Sequence, residues 1–142
     1  MSAVKLVAVF GENKLGQMAR VTQVLAEARI NIRWVTIVTS ETFGVMKFLV
    51  DQCDTAFQRL KARGFTVSLI DVLAIEVQDK PGGLHAVANA LAQNNINVQN
   101  SSGFVSHQRA VLLIEVADID RARAILTAQH LTCLTQEEML KL

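Results

Sequence analysis

The sequence has 142 residues, of which 51% are hydrophobic, with 14 basic residues against 13 acidic and a formal charge of +1 at pH 7. Such a chain is long and apolar enough to bury a sizeable core, and it is not the polar, strongly charged composition of a disordered segment. The balanced charge argues against a nucleic-acid partner and against a polybasic membrane patch, and 5% aromatics with no Tyr leave little to build a base-stacking platform from.

Met1-Ser2-Ala3-Val4-Lys5 runs straight into a strand-like stretch, without a charged leader and long apolar run, so a cytoplasmic location is expected. Val4–Phe10 reads as a strand, followed by the turn-like Gly11-Glu12-Asn13-Lys14. Met18, Val21, Val24, Leu25 and Ala28 recur at three- and four-residue steps, the apolar stripe of a helix. After Asn31, Trp34–Thr39 reads as a strand, Glu41-Thr42-Phe43-Gly44 as a hairpin turn and Val45–Val50 as its return. Asp54 suits the N-cap of a second helix, Gly64 its end, and Phe65–Ile70 a fourth strand. Val72–Val77 then opens a similar series. Its helix carries Leu84, Val87, Ala90 and Leu91, and its hairpin joins Val98–Val105 to Ala110–Val116 through Ser106-His107-Gln108. Asp120–Ala128 reads as a helix, Leu131–Leu134 as a strand and Gln136–Leu142 as a short helical or ragged end.

The similarity of the two series is an internal repeat at an offset of 66 positions. Ala26-Glu27-Ala28-Arg29-Ile30-Asn31-Ile32 lies over Ala92-Gln93-Asn94-Asn95-Ile96-Asn97-Val98. Lys14 and Gly16 lie over Lys80 and Gly82, and Asp54 and Leu60 over Asp120 and Leu126, without a gap. Two domains are therefore expected, residues 1–70 and 71–142, each a βαββαβ unit. The fold class is α+β, two ferredoxin-like units whose antiparallel sheets have strand order 4-1-3-2 and helices on one face. Units of this size are marginal alone. The edges around Val35 and Ser101 are expected to pair, joining the sheets side by side.

The informative loop is Asp79-Lys80-Pro81-Gly82-Gly83-Leu84. Pro81 can start a helix, the glycines leave the backbone approachable, and the first helical N–H groups point outward with the positive end of the helix dipole. That suits a carboxylate, with Asp79 placed to accept from an ammonium; shaping the turn and capping the helix is the competing role. The spacing fits neither a phosphate-binding loop nor a dinucleotide fingerprint. Asn31 and Asn97, each between a helix and a strand, suit a turn because Asn tolerates left-handed backbone, and their amides can also reach a ligand.

Asp79–Leu84 followed by Leu91–Val98, and Asn13-Lys14-Leu15-Gly16 followed by Leu25–Ile32, resemble the pattern of ACT domains. The resemblance spans nearly the whole chain and is similar to stand-alone tandem ACT proteins. It implies a non-catalytic regulatory protein that binds a small ligand, most simply a free amino acid, between ACT units, where the first loop of one faces strand 2 of its neighbour. The implied ligand-binding residues are Asn13, Gly16 and Asn31 in the first unit and Asp79, Gly82, Gly83, Leu84 and Asn97 in the second. Leu15 departs from the usual proline, and Gln99–Phe104 is smaller and more polar than in many relatives. A homodimer and a regulated enzyme partner are expected, with no cofactor.

His85, His107 and His130 fall on separate elements and do not suggest a metal site, although His85 is near the Pro81 loop. Cys53 and Cys133 read as free thiols, and Glu137-Glu138 as a solvated acidic pair. No Ser-His-Asp or Cys-His spacing supports catalysis. The alternative to a sensor is an ACT scaffold without ligand that mediates oligomerisation or protein contact.

Overall fold

A computed structural model describes residues 3–142; Met1 and Ser2, and the part of the leader reading that falls on them, lie outside the described residues. Contacts divide the chain into two units, Lys5–Ile70 and a second of Asp71–Leu142 that takes in Val4. The first is built from β1 (Val4–Glu12), α1 (Gln17–Glu27), β2 (Ile32–Thr39), β3 (Phe43–Val50), α2 (Cys53–Ala62) and the start of β4 (Thr66–Val77). Its strands follow the order β2-β3-β1-β4, and β3 is antiparallel to both β1 and β2. The second contains the rest of β4, α3 (Gly83–Gln93), β5 (Asn100–Ser106), β6 (Arg109–Glu115), α4 (Ile119–Ala128), β7 (Thr132–Leu134) and α5 (Gln136–Leu140). Its order is β5-β6-β4-β7, again antiparallel. Both are the βαββαβ unit expected from the repeat.

Phe65–Ile70 and Val72–Val77, read as two strands, are halves of the single strand β4. No Gly or Pro interrupts the run, and Asp71 continues it instead of turning it. The outer strands β2 and β5 pair with β3 and β6, and each ends its strand path.

One core cluster gathers Val7, Val9, Val24, Leu25, Phe48 and Leu60; the other gathers Leu73, Ile75, Val87, Leu91, Ile114 and Leu126. Leu6 and Ala8 on β1, and Val72 and Ala74 on β4, point the other way and are also buried. Strands covered on both faces read as continuous apolar runs, which is why these segments lack a clean alternation.

The four long helices end alike. Ile30, Phe65, Ile96 and Leu131 each donate their N–H to a carbonyl six residues' span back, from Leu25, Leu60, Leu91 and Leu126. The residue before each, Arg29, Gly64, Asn95 and His130, has φ between 58° and 89°. This is the Schellman motif, with an apolar residue following the left-handed one. Gly64 takes the role anticipated for it. Asn31 and Asn97 do not supply the left-handed turn; Arg29 and Asn95, two positions earlier, do, because that is where the last helical carbonyls can be reached. The N-cap of α2 is Gln52 and not Asp54, which sits in the first turn, and Asp118 caps α4 by accepting from Arg121 N–H. Phe43 and Gly44 belong to β3, leaving Ser40–Thr42 as the turn, and β5 begins at Asn100, two residues later than Val98. Glu137 and Glu138 are both exposed, and each has a local role: Glu138 forms the capping box of α5 with Thr135, while Glu137 pairs with Lys141.

His107 and Gln108 turn the second hairpin with φ of 51° and 66°, the two positive values of a type I′ turn. Neither residue favours that geometry, whereas Asn-Gly does. His107→Asn/Gln108→Gly should therefore raise stability by about 1 kcal/mol, read as a higher urea midpoint at unchanged slope.

Candidate functional site

Each unit presents a loop between its first strand and first helix, and both loops turn in the same way. Gln17 N–H donates to the Lys14 carbonyl at 3.2 Å, and Gly83 N–H to the Lys80 carbonyl at 3.0 Å. The third residue of each turn, Gly16 (φ 84°, ψ 0°) or Gly82 (φ 88°, ψ −10°), has type II geometry and becomes the helix N-cap. Pro81 fits the second position of that turn and lies outside α3. Leu15, its counterpart, is fully exposed. Gly83 is different. It is buried, and a Cβ there would collide with the Gln78 backbone carbonyl, so its lack of a side chain serves loop-to-helix packing.

In the first unit Asn13 fixes the loop to the hairpin. Its backbone N–H donates to the Thr42 carbonyl at 3.1 Å and its Nδ2 to the Ser40 carbonyl at 3.0 Å. The loop thereby roofs a cleft of about 440 Å³. Asn13, Gly16 and Gln17 line its polar side. Leu15, Met18, Ile37, Val45 and Met46 form its apolar walls, and Gly11 and Gly44 its floor. The size is that of a small-molecule site.

The equivalent loop of the second unit borders a wider cleft of about 830 Å³, lined by Asp79, Gly82 and Gly83 and also by Glu76, Gln108, Arg109, His130 and Thr132. Arg109 grips Glu76 in a two-pronged pair, Nε to Oε2 at 2.9 Å and Nη2 to Oε1 at 3.0 Å. The guanidinium bond holds the Glu76 carboxyl below the ordinary glutamate range. A depressed folded-state pKa means that the pair stabilises above the unfolded-state value and stops doing so as pH falls through the folded one. The Glu76 and Arg109 side chains are 33% and 38% exposed, so water screening keeps the contribution small. Glu76→Gln should accordingly lower the urea midpoint slightly at pH 7, and the difference from wild type should close as pH drops below the glutamate range.

The clefts do not gather every residue anticipated for them. Asn31 lines a separate groove between α1 and β2 with Thr22 and Ile30, and its N–H donates to Asp51 Oδ1 at 3.2 Å. Asn97 is exposed in the segment before β5, and Leu84 and His85 are exposed on the first turn of α3; none of the three lines the wider cleft. Gly11, Gly44, Ile37 and Met46 escaped sequence reading because they sit in strands, away from the loop motif. Glu76 and Arg109 were legible only as departures from the repeat, since Phe10 and Phe43 occupy their positions in the first unit. Cys133 offers no ready nucleophile, as burial pushes its thiol pKa up. Among the described residues no group of His, Cys, Asp and Glu is arranged to hold a metal, and no helix is long and apolar enough to cross a membrane.

Compared with known proteins, residues 1–142 match the family model described as ACT domain pair. A crystal structure of a Bacteroides thetaiotaomicron protein superposes with a TM-score of 0.92 at 28% identity, covering 99% of this chain and 98% of that one. The regulatory subunit of aspartate kinase from Thermus thermophilus, in its ligand-free form, shares the fold with a TM-score of 0.65 at 22% identity, over 91% and 92% of the two chains. Aspartokinase III of E. coli, in complex with lysine and aspartate, has a TM-score of 0.52 at 17% identity, over 92% of this chain and 31% of that one. No curated protein sequence matches.

Proposed function

The chain belongs to the ACT domain-pair family, and from that premise we propose that it is a non-catalytic sensor that binds a free amino acid at its strand-to-helix loops. The observation that carries this reading is the first-unit cleft, of ligand size and roofed by the loop that Asn13 ties to the hairpin. Asn13 directs one N–H of its amide to the Ser40 carbonyl, and its Oδ1 is the atom to accept from an ammonium; Asp79, 66 positions on, offers a carboxylate for the same purpose. The N–H groups at the starts of α1 and α3 suit the carboxylate end of the same ligand. Gly16, Gly82 and Gly83 shape the loops, while Asn31, Leu84 and Asn97 reach a ligand only if it extends beyond the clefts. We assign the output to association: β2 is an outer strand with Val35 and Val38 exposed, suited to pairing with a second copy, and an enzyme of amino-acid metabolism is the partner to be regulated.

A thermal-shift screen against the twenty amino acids tests this. Ligand at a hundred times its Kd adds about 2.7 kcal/mol of stability, a readily visible shift. Asn13→Ala and Asp79→Ala/Asn97→Ala should fold and shift less. A melting temperature unmoved by all twenty counts decisively against the sensor. It favours the second reading, a scaffold without ligand, which the existing use of the Asn13 amide by Ser40 supports.

A further inference from the structure

From the floor of the first-unit cleft we infer the class of ligand that it takes: an amino acid with a neutral, apolar side chain, seated over Gly11 and Gly44. This rests on the reading of the loop cleft as an amino-acid site. Gly11 and Gly44 face each other across β1 and β3, and Thr39 of β2 continues the same row. The next row of that face is Val9, Met46 and Ile37. Two glycines in register remove the side chains that would otherwise fill the end of the sheet, and the row behind them supplies an apolar wall.

The second unit shows what the same row looks like when it is filled. Val77 and Ala110 stand at the equivalent positions and are themselves register partners, with Val105 continuing the row. The hollow therefore belongs to one unit of the pair, and one apolar amino acid per chain is expected. Glycine is not demanded here by the backbone, because neither Gly11 nor Gly44 has a positive φ. Space is the reason for it. A Cβ on Gly11 would come 3.2 Å from Gln17 Nε2, and one on Gly44 3.0 Å from Thr39 Cγ2, so an added side chain takes up this space and crowds both tips.

The walls decide the chemistry. Leu15, Met18 (45% exposed) and Ile37 (40%) lie together in this one cleft, an exposed apolar patch that a bound apolar side chain would cover. The floor itself carries no charged group, and Glu12 and Lys14, the charged residues of the lining, are exposed, so water screens any ion pair with them and a charged side chain gains little for the hydration it loses.

The test is calorimetric titration of the full chain with leucine, methionine, phenylalanine, lysine and aspartate. The inference expects binding of at least one of the first three at one site per chain and none of the last two. Gly11→Val/Gly44→Ala, which copies the second unit's own row, should weaken that binding about a hundredfold, given that one methylene in such a pocket changes affinity by roughly 10–200-fold. Circular dichroism reports whether this variant folds. Ile37→Thr, a milder change on an exposed edge position, should weaken binding about tenfold in any case. Preference for lysine or aspartate, or undiminished apolar binding in both variants, overturns the inference and leaves the sensor reading standing. Binding of none of the five overturns the inference, and the sensor reading falls with it only if the thermal-shift screen of all twenty amino acids is also empty.

Discussion

Gly83→Ala is expected to destabilise the protein by about 3 kcal/mol, more than substitution at any other loop glycine. The reason is contact, not conformation. Gly83 is the first residue of α3 and is buried, with no positive φ to relieve. Its added Cβ would meet the carbonyl carbon and oxygen of Gln78, which are backbone atoms and can give way only if the whole loop moves. The neighbouring Gly82 has the opposite problem. Its φ of 88° suits glycine, but a Cβ there meets nothing within 4 Å, so Gly82→Ala should cost about 1–2 kcal/mol. Urea unfolding of the two variants separates these causes, and a Gly83→Ala loss no larger than that of Gly82→Ala would falsify the close approach. Because the Gln78–Gly83 segment carries Asp79, Gly83→Ala should also widen the second cleft, while the first, whose loop has Gln17 at this position, stays as it was.

The order of elements was legible because the repeat reports every apolar stripe twice. Leu25, Leu60, Leu91 and Leu126 each stand where a helix must bury its last turn, and the apolar residue five positions later closes the motif in all four. The merging of two strands into β4 was less legible, since composition alone does not say whether Asp71 turns the chain or continues it. Local hydrogen bonding was least legible. Asn31 and Asn97 drew attention as left-handed candidates, yet the position is set by the reach of the last helical carbonyls, which placed Arg29 and Asn95 there instead. The site divides along the same line. Loop residues such as Asn13 and Asp79 lie within a motif of contiguous residues and can be found in it. Gly11 and Gly44 are 33 positions apart and meet only through the antiparallel register, so their hollow becomes visible once strands are paired.

That register also yields the largest core effect expected in the first unit. Phe48 lies in the middle of β3, opposite Val7 of β1 and Val35 of β2, and is fully buried. It points to the same face as Met46 and Gly44, so one strand supplies both the centre of the core and the floor of the cleft. Phe48→Ala removes a ring from a position closed on both sides, and the expected loss is about 3–5 kcal/mol through transfer and cavity terms. That is a large share of the roughly 5–15 kcal/mol that stabilises a typical domain. The repeat supplies a milder comparison, for Ile114 occupies the same place in the second unit and is equally buried. Phe48→Ile should therefore cost only about 1.5 kcal/mol, because β-branched aliphatic packing is already compatible with this architecture. Urea unfolding at constant slope measures both losses, and a Phe48→Ala loss below 1 kcal/mol would show that the core collapses around the missing ring. Thermal shifts with an apolar amino acid then separate core from cleft. Phe48→Ile should start from a lower melting temperature yet gain as much from ligand as the wild type, since the Gly11–Gly44 row lies two rows further along the strand and keeps its hollow.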